Sequence, residues 1–256
     1  MSHPPPQTNR TAVLRVYRGE AGKGEFRDYE VPVAPGTVVL DAVHHVQAHA
    51  APDLAVRWNC KAGKCGSCSA EVNGKPRLMC KTRLDELPLE APVTITPLKA
   101  FPHLKDLVTD VSWNYEVNRR IPPFQPRPGT DWKYSQEEAD RVQEFRKCIE
   151  CFLCQDVCHV LRDHDKKDLA DPRHLFVGPR FLVRVAGLEM HPLDAGSRTR
   201  FLKEQGGIGL CNITKCCTEV CPEQITITDN AIIPLKERVV DDFYDPLRLL
   251  FGRRGR

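Results

Sequence analysis

The chain has 256 residues, enough for one large or two ordinary domains, each able to bury its own core. A hydrophobic fraction of 41% and a charged fraction of 28% are ordinary for a globular protein, and a net charge of +3 without a basic run interleaved with aromatics argues against nucleic acid as a partner. No apolar stretch is long enough to cross a bilayer, and the opening Met1-Ser2-His3-Pro4-Pro5-Pro6 lacks the basic-then-apolar pattern of a secretory signal, so membrane contact is expected only through a partner.

Residues 1–100 read as a β-rich domain. Strand-like segments Ala12–Arg18 and Arg27–Val33 flank a Gly-rich turn, Gly19–Gly24. Thr37 is placed to cap a helix running to about His49, with Val39, Leu40, Val43 and Val46 as its apolar stripe. His44, His45 and His49 lie in or beside that helix and read as a solvated face. Asn73-Gly74, between Ser69–Val72 and Lys75–Met79, supplies the two positive φ angles of a tight hairpin. Residues 101–134 are a connector whose centre, Ile121-Pro122-Pro123-Phe124-Gln125-Pro126-Arg127-Pro128-Gly129, predicts an extended crossing. Residues 135–256 turn helical. Ser135-Gln136-Glu137-Glu138 has the form of a capping box, and Phe176–Val185, Arg198–Glu204 and Asp241–Phe251 are further expected helices. The basic end Arg253-Arg254-Gly255-Arg256 reads as a solvated tail.

Twelve cysteines fall into three groups of four, a pattern poorly matched to a disulfide framework in a chain this long. The first group is Cys60-x4-Cys65-x2-Cys68 with Cys80 beyond, the spacing of a plant-type [2Fe–2S] site. Gly63 and Gly66 allow the sharp turns of a loop wrapped around an anion, and Lys61 and Lys64 put positive charge beside it. Structural zinc would instead present two Cys-x2-Cys hooks, and only one is here.

Cys148-x2-Cys151-x2-Cys154-x3-Cys158 has the bacterial ferredoxin spacing, in which the fourth cysteine serves the other cluster of a pair. The third group keeps that frame with one substitution: Cys211, Thr214, Cys217, Cys221, then Pro222. Crosswise pairing gives a [4Fe–4S] set of Cys148, Cys151, Cys154 and Cys221. It leaves Cys158, Cys211 and Cys217 to hold three irons, a [3Fe–4S] cluster. Cys216 lies out of register and reads as a buried thiol packed as a small hydrophobe. His159 is expected to support or pack beside the site without ligating. Iron bound through these eleven cysteines is the only metal expected, and no catalytic residue is assigned.

With these motifs, Trp58–Cys68 (Trp-Asn-Cys-Lys-Ala-Gly-Lys-Cys-Gly-Ser-Cys), Ile95-Thr96-Pro97-Leu98, Leu104–Val108 and Cys217-Thr218-Glu219-Val220-Cys221-Pro222 make the chain resemble, over nearly its whole length, the iron–sulfur subunits of succinate dehydrogenase and fumarate reductase. The resemblance implies an α+β fold: a plant-type ferredoxin-like (β-grasp) domain followed by an α-helical two-cluster ferredoxin-like domain. It further implies an electron relay in the respiratory chain and tricarboxylic acid cycle. Electrons would run from the FAD of a flavoprotein subunit through [2Fe–2S], [4Fe–4S] and [3Fe–4S] to quinone at a membrane anchor. The chain itself would be peripheral, on the cytoplasmic face of the inner (plasma) membrane. Many members place Pro and then Trp after the cysteine equivalent to Cys158, and His after that equivalent to Cys211. Here His159-Val160-Leu161 and Asn212-Ile213 stand instead, which implies a quinone site of different make-up, with a haem or another redox centre in the anchor as an alternative route. Thiol-dependent fumarate reductases and heterodisulfide-type enzymes are the competing relatives. They usually carry two [4Fe–4S] clusters or long Cys-rich repeats, whereas Thr214 removes a corner here.

Overall fold

The computed structural model describes residues 10–163 and 176–246. In chain order the strands are β1 (Arg10–Glu20), β2 (Lys23–Val33), β3 (Ser69–Val72), β4 (Lys75–Leu78), β5 (Val93–Thr96), β6 (His103–Lys105) and β7 (Val108–Thr109). The helices are α1 (Val39–His49), α2 (Ser112–Arg120), α3 (Gln136–Gln143), α4 (Leu153–Asp156), α5 (His159–Asp163), α6 (Pro179–Glu189), α7 (Thr199–Glu204), α8 (Cys216–Glu219) and α9 (Ile233–Phe243). The chain forms two compact units: residues 10–111 with Ile149–Val157, and Ser112–Cys148 with the described residues from Cys158 onward.

The first unit is a mixed sheet with α1 against it. β1 pairs antiparallel with β2 along its full length and parallel with β5. β3 joins β5 to β4. Alternate residues of β1 (Ala12, Leu14, Val16) point inward with Val31, Val33, Val93 and Ile95, and the apolar stripe of α1 closes the core. The hairpin turn is tighter than expected. Glu20 pairs with Lys23, leaving Ala21 and Gly22 at φ 49° and 80°, the left-handed pair a two-residue turn needs. Asn73-Gly74 repeats that geometry at φ 50° and 73°.

Thr37 does not cap α1. Its hydroxyl accepts from the Ala34 N–H at 3.0 Å, closing the preceding turn, while Asp41 reaches back to the Val38 N–H at 3.5 Å. Nor is the histidine face simply solvated, because His44 packs edge-on against Trp58 at 4.7 Å. Arg18, last in the inward row of β1, is buried and donates to Asp106 (3.0 Å), Asp53 (2.6 Å) and Tyr29 (2.9 Å). Asp106 also accepts from the N–H groups of Gly19 and Ala55 at 2.9 and 2.8 Å. Burial alone would raise this carboxyl, but those two N–H groups and the guanidinium outweigh it and hold it below the usual carboxylate range.

In the second unit, α2 was not read from the sequence and occupies part of the expected connector. The Pro-rich crossing that follows is held from outside itself. Arg198, fully buried, donates to the carbonyls of Pro122 (2.9 Å) and Pro123 (2.6 Å) and to Asp194 (2.7 Å). The Ala195 N–H donates to the Gln125 carbonyl at 2.8 Å, and the Arg127 N–H to that of Leu193 at 3.1 Å. Prolines that cannot donate thus have their acceptors satisfied by one side chain. The capping box at Ser135 forms with both bonds, at 3.2 and 2.8 Å. The helix expected from Phe176 begins instead at Pro179, because Gly178 at φ 84° is not helical and proline suits the first turn. The last helix starts earlier than expected, at Ile233, and stops at Phe243. Residues 247–251 of the expected span, with the basic tail, lie outside the described residues. No helix among the described residues is long and apolar enough to cross a membrane.

Candidate metal centre

The loop before β3 brings Cys60, Cys65, Cys68 and Cys80 together as two pairs. The Cys60 and Cys65 side chains lie close enough to influence each other's proton, and so do those of Cys68 and Cys80. Left-handed residues Lys61 (φ 53°), Gly63 (67°) and Gly66 (67°) turn the loop sharply, so backbone N–H groups face sulfur. The Ala62 and Lys64 N–H groups each stand 3.3 Å from Cys60 Sγ, and the Cys80 N–H stands 3.5 Å from Cys68 Sγ. Burial pushes the Cys65 thiol up, but hydrogen bonds from Cys60 and from the Ser67 N–H and hydroxyl outweigh it and bring the thiol down to about 6. Cys68 is pushed up to about 12, by burial first, with the neighbouring Cys80 and Cys65 adding to it. Two thiol pairs, one at the surface and one inside, suit a two-iron rhomb with one pair on each iron. Lys61 is drawn outward, with its ammonium 5.1 Å from the Trp58 ring and 3.9 Å from Asp41.

The same unit contains Cys151 and Cys154, both buried. Gly66 lies directly against Cys151: a Cβ there would meet Cys151 Cα at 2.6 Å. The Ser69 hydroxyl is placed to donate to the carbonyl of Gly66 at 2.9 Å and to that of Cys151 at 2.8 Å, and the Ala100 N–H bonds Asp156 at 2.9 Å.

The second unit contains Cys148 and Cys221 and the trio Cys158, Cys211 and Cys217. Glu144 ties the lead-in of Cys148 to the segment after Cys221, accepting from the Thr226 N–H and the Asn230 amide at 2.6 Å each. Cys158 and Cys217 are buried, and burial raises both thiols, Cys217 to about 11. Cys216 and Cys211 lie close enough to add to both shifts by charge. Thr228 stands 3.6 Å from Cys217 Sγ, and the Ile225 N–H 3.4 Å from Cys221 Sγ. His159 Nε2 is buried with no hydrogen-bond partner among the described residues.

Two stretches share one backbone frame. From Cys148, the second and fourth following residues, Glu150 (φ 56°) and Phe152 (φ 61°), are left-handed, and α4 starts at the fifth. From Cys211, the same places hold Ile213 (φ 60°) and Lys215 (φ 62°), and α8 starts at the fifth. Thr214 therefore occupies the place of Cys151. Cys216 departs from its sequence reading: it is only half buried, because its counterpart Leu153 faces the core whereas Cys216 stands beside exposed Thr214, Sγ to Oγ1 3.3 Å. Among the described residues no three His, Cys, Asp or Glu side chains converge on a point suited to one metal ion. Paired thiols, N–H groups directed at sulfur and a repeated thiol frame instead define an iron–sulfur protein.

Comparison with known proteins agrees. Residues 12–116 match the 2Fe-2S iron-sulfur cluster binding domain and residues 144–225 the 4Fe-4S dicluster domain. The fumarate reductase iron-sulfur subunit of Mycobacterium tuberculosis is 31% identical, covering 78% of this chain and 80% of its own. The succinate dehydrogenase iron-sulfur subunit of Bacillus subtilis is 27% identical over 78% of this chain and 81% of its own. A chain of the Mycobacterium smegmatis Sdh1 complex in the apo form superposes with a TM-score of 0.87 at 58% identity, covering 93% of this chain and 98% of that one. The chain belongs to the iron–sulfur subunits of succinate dehydrogenase and fumarate reductase, an electron-transferring oxidoreductase family with 2Fe-2S and 4Fe-4S domains.

Proposed function

We propose that this subunit relays electrons between the FAD of a flavoprotein partner and a quinone site at a membrane anchor, in succinate oxidation or, reversed, fumarate reduction. Cys60, Cys65, Cys68 and Cys80 hold [2Fe–2S]. Cys148, Cys151, Cys154 and Cys221 hold [4Fe–4S], and Cys158, Cys211 and Cys217 hold [3Fe–4S]. Bound clusters supply one-electron redox chemistry; the chain's residues set where electrons enter and leave. Trp58, Asn59 and Cys60 are exposed, which suits a docked flavoprotein, while the inner edge of the same loop abuts Cys151 through Gly66. N–H groups near Cys60, Cys68 and Cys221 offset thiolate charge and favour the reduced, more negative state. The segments after Cys158 and Cys211 support a quinone route through the anchor that passes a haem or another centre first. The assembly would sit peripherally on the cytoplasmic face of the plasma membrane.

The observation that carries the cluster assignment is the shared left-handed frame with threonine at one corner. Redox titration of the intact complex by electron paramagnetic resonance tests it. Three distinct centres and about nine irons per chain are expected, the sum of the three cluster types. Two four-iron centres with no three-iron signal would overturn the assignment. Succinate turnover by this chain alone would overturn the relay.

A further inference from the structure

The corner that Thr214 leaves without a thiolate has another sulfur beside it. In the four-thiolate frame, the side chain at the third place after the first cysteine is the one that reaches the fourth iron. Here that side chain is a threonine, whose hydroxyl is a poor ligand for ferrous iron because it holds its proton at neutral pH. Its Oγ1 lies 3.3 Å from Cys216 Sγ, so a thiol stands within one atomic contact of the corner. Cys216 opens α8 immediately after left-handed Lys215, so its place is fixed by the same turn that fixes Cys217. It is half exposed, with a path for iron and for a proton, unlike Leu153 at the equivalent place, which is 1% exposed and packed in the core.

We propose that Cys216 is a reserve ligand: its sulfur accepts a ferrous ion at the corner left open by Thr214 and turns the three-iron cluster into a four-iron one. The inference rests on the [3Fe–4S] reading above. The step balances without an external reductant once the relay has reduced the cluster. A neutral [3Fe–4S] core takes up Fe(II), giving a [4Fe–4S] core of charge +2. Bonds form from the incoming iron to three cluster sulfides and to Cys216 Sγ. The Cys216 S–H bond breaks, and its proton leaves to solvent. Loss of one electron to the quinone that the relay serves would expel Fe(II) and leave the three-iron core oxidised, one electron short of the core that took the iron up. The site thus takes ferrous iron under reducing conditions and releases it on oxidation.

The experiment uses the intact complex, reduced anaerobically and mixed with iron-57 as the ferrous ion. Paramagnetic resonance after reoxidation by a mild oxidant, and Mössbauer spectra before it, are recorded for wild type, Cys216→Ser, Cys216→Ala and Thr214→Cys. The [2Fe–2S] signal in each sample reports that the subunit is assembled. Wild type is expected to take up iron-57 into a four-iron spectrum, with uptake at least tenfold weaker in both Cys216 variants, because loss of even an outer-shell partner costs about 10–100-fold in metal affinity. Equal uptake in the Cys216 variants, or a wild type that takes none while Thr214→Cys does, overturns the proposal. A wild type with no three-iron signal before iron is added overturns the cluster assignment itself, and the reserve role with it.

Discussion

Residues 148–158 and 211–221 are the same backbone device carrying different side chains. Both put left-handed residues at the second and fourth places and start a short helix at the fifth. None of the four left-handed residues is glycine, and Ile213 is β-branched, so each place is strained by about 1–2 kcal/mol. Such strain persists only where the surroundings over-determine the conformation. The frame is therefore not a by-product of four thiols, since the second copy keeps it with three. What differs is the third place, Cys151 against Thr214, and the fifth, buried Leu153 against half-exposed Cys216. On the cluster assignment proposed above, the turn sets where a corner lies and the side chain at that corner sets which cluster forms.

The comparison is broken most severely by Cys151→Thr, which makes the first copy read like the second. The [4Fe–4S] signal should give way to a second three-iron signal, with electron transfer through the subunit reduced at least tenfold; a retained four-iron spectrum would show that the third place does not define the corner. The mirror change, Thr214→Cys, should convert the three-iron centre and lower its potential on the order of hundreds of millivolts, within the range that cluster type and charge span. Potentiometry on the intact complex measures it, and an unchanged potential counts against the shared register.

Gly66→Ala probes what only the first copy has, a backbone pressed against it. The new methyl would meet Cys151 Cα at 2.6 Å, at a residue with φ 67°. A loss of about 2–3 kcal/mol is expected, with both neighbouring cluster signals perturbed. Thermal unfolding should register it, and an unaltered midpoint would show that the loops separate freely.

The smallest effect is expected at Glu144, which ties the end of one copy to the start of the other. Burial raises its carboxyl, but the Thr226 N–H and Asn230 amide outweigh that and hold it below the usual glutamate value. Its stabilisation is thus complete above the unfolded value of about 4.3 and lost as pH falls through the lower folded value. Glu144→Gln should cost about 1 kcal/mol at neutral pH, because one amide oxygen replaces two carboxylate acceptors. The difference from wild type should shrink as the pH falls below about 4. A gap that widens with acid would reverse the sign of the argument.

Cysteine spacing made the frame legible before any coordinate, because a cluster of fixed size dictates chain separations along a short loop. The Asn73-Gly74 hairpin was legible for a similar reason: its chemistry is contained in two residues. What escaped the sequence depends on distant partners. Nothing local marks Arg198 as the residue that satisfies Pro122 and Pro123, or Thr37 as closing its own turn rather than α1. Helix α2, rich in polar residues and short of apolar periodicity, has little to distinguish it from the loop around it. Cys216 was misread because burial is a property of what packs above a residue, and the sequence gives no sign of that.

The contact of Gly66 and Ser69 with Cys151 also bears on how the molecule is made. Residues 149–157 complete the sheet unit, yet the chain emerges in order from its N-terminus, so the sheet must wait for them. Until Val157 has been synthesised, the Gly66 carbonyl lacks the shared hydroxyl bridge to Cys151, and the Ala100 N–H lacks Asp156. A fragment ending at Val111 would be an open shell with apolar groups that Phe152 and Leu153 normally cover. A nascent chain that has not yet reached the second motif would therefore present iron with a first loop still lacking the contacts that Cys151 and Asp156 supply.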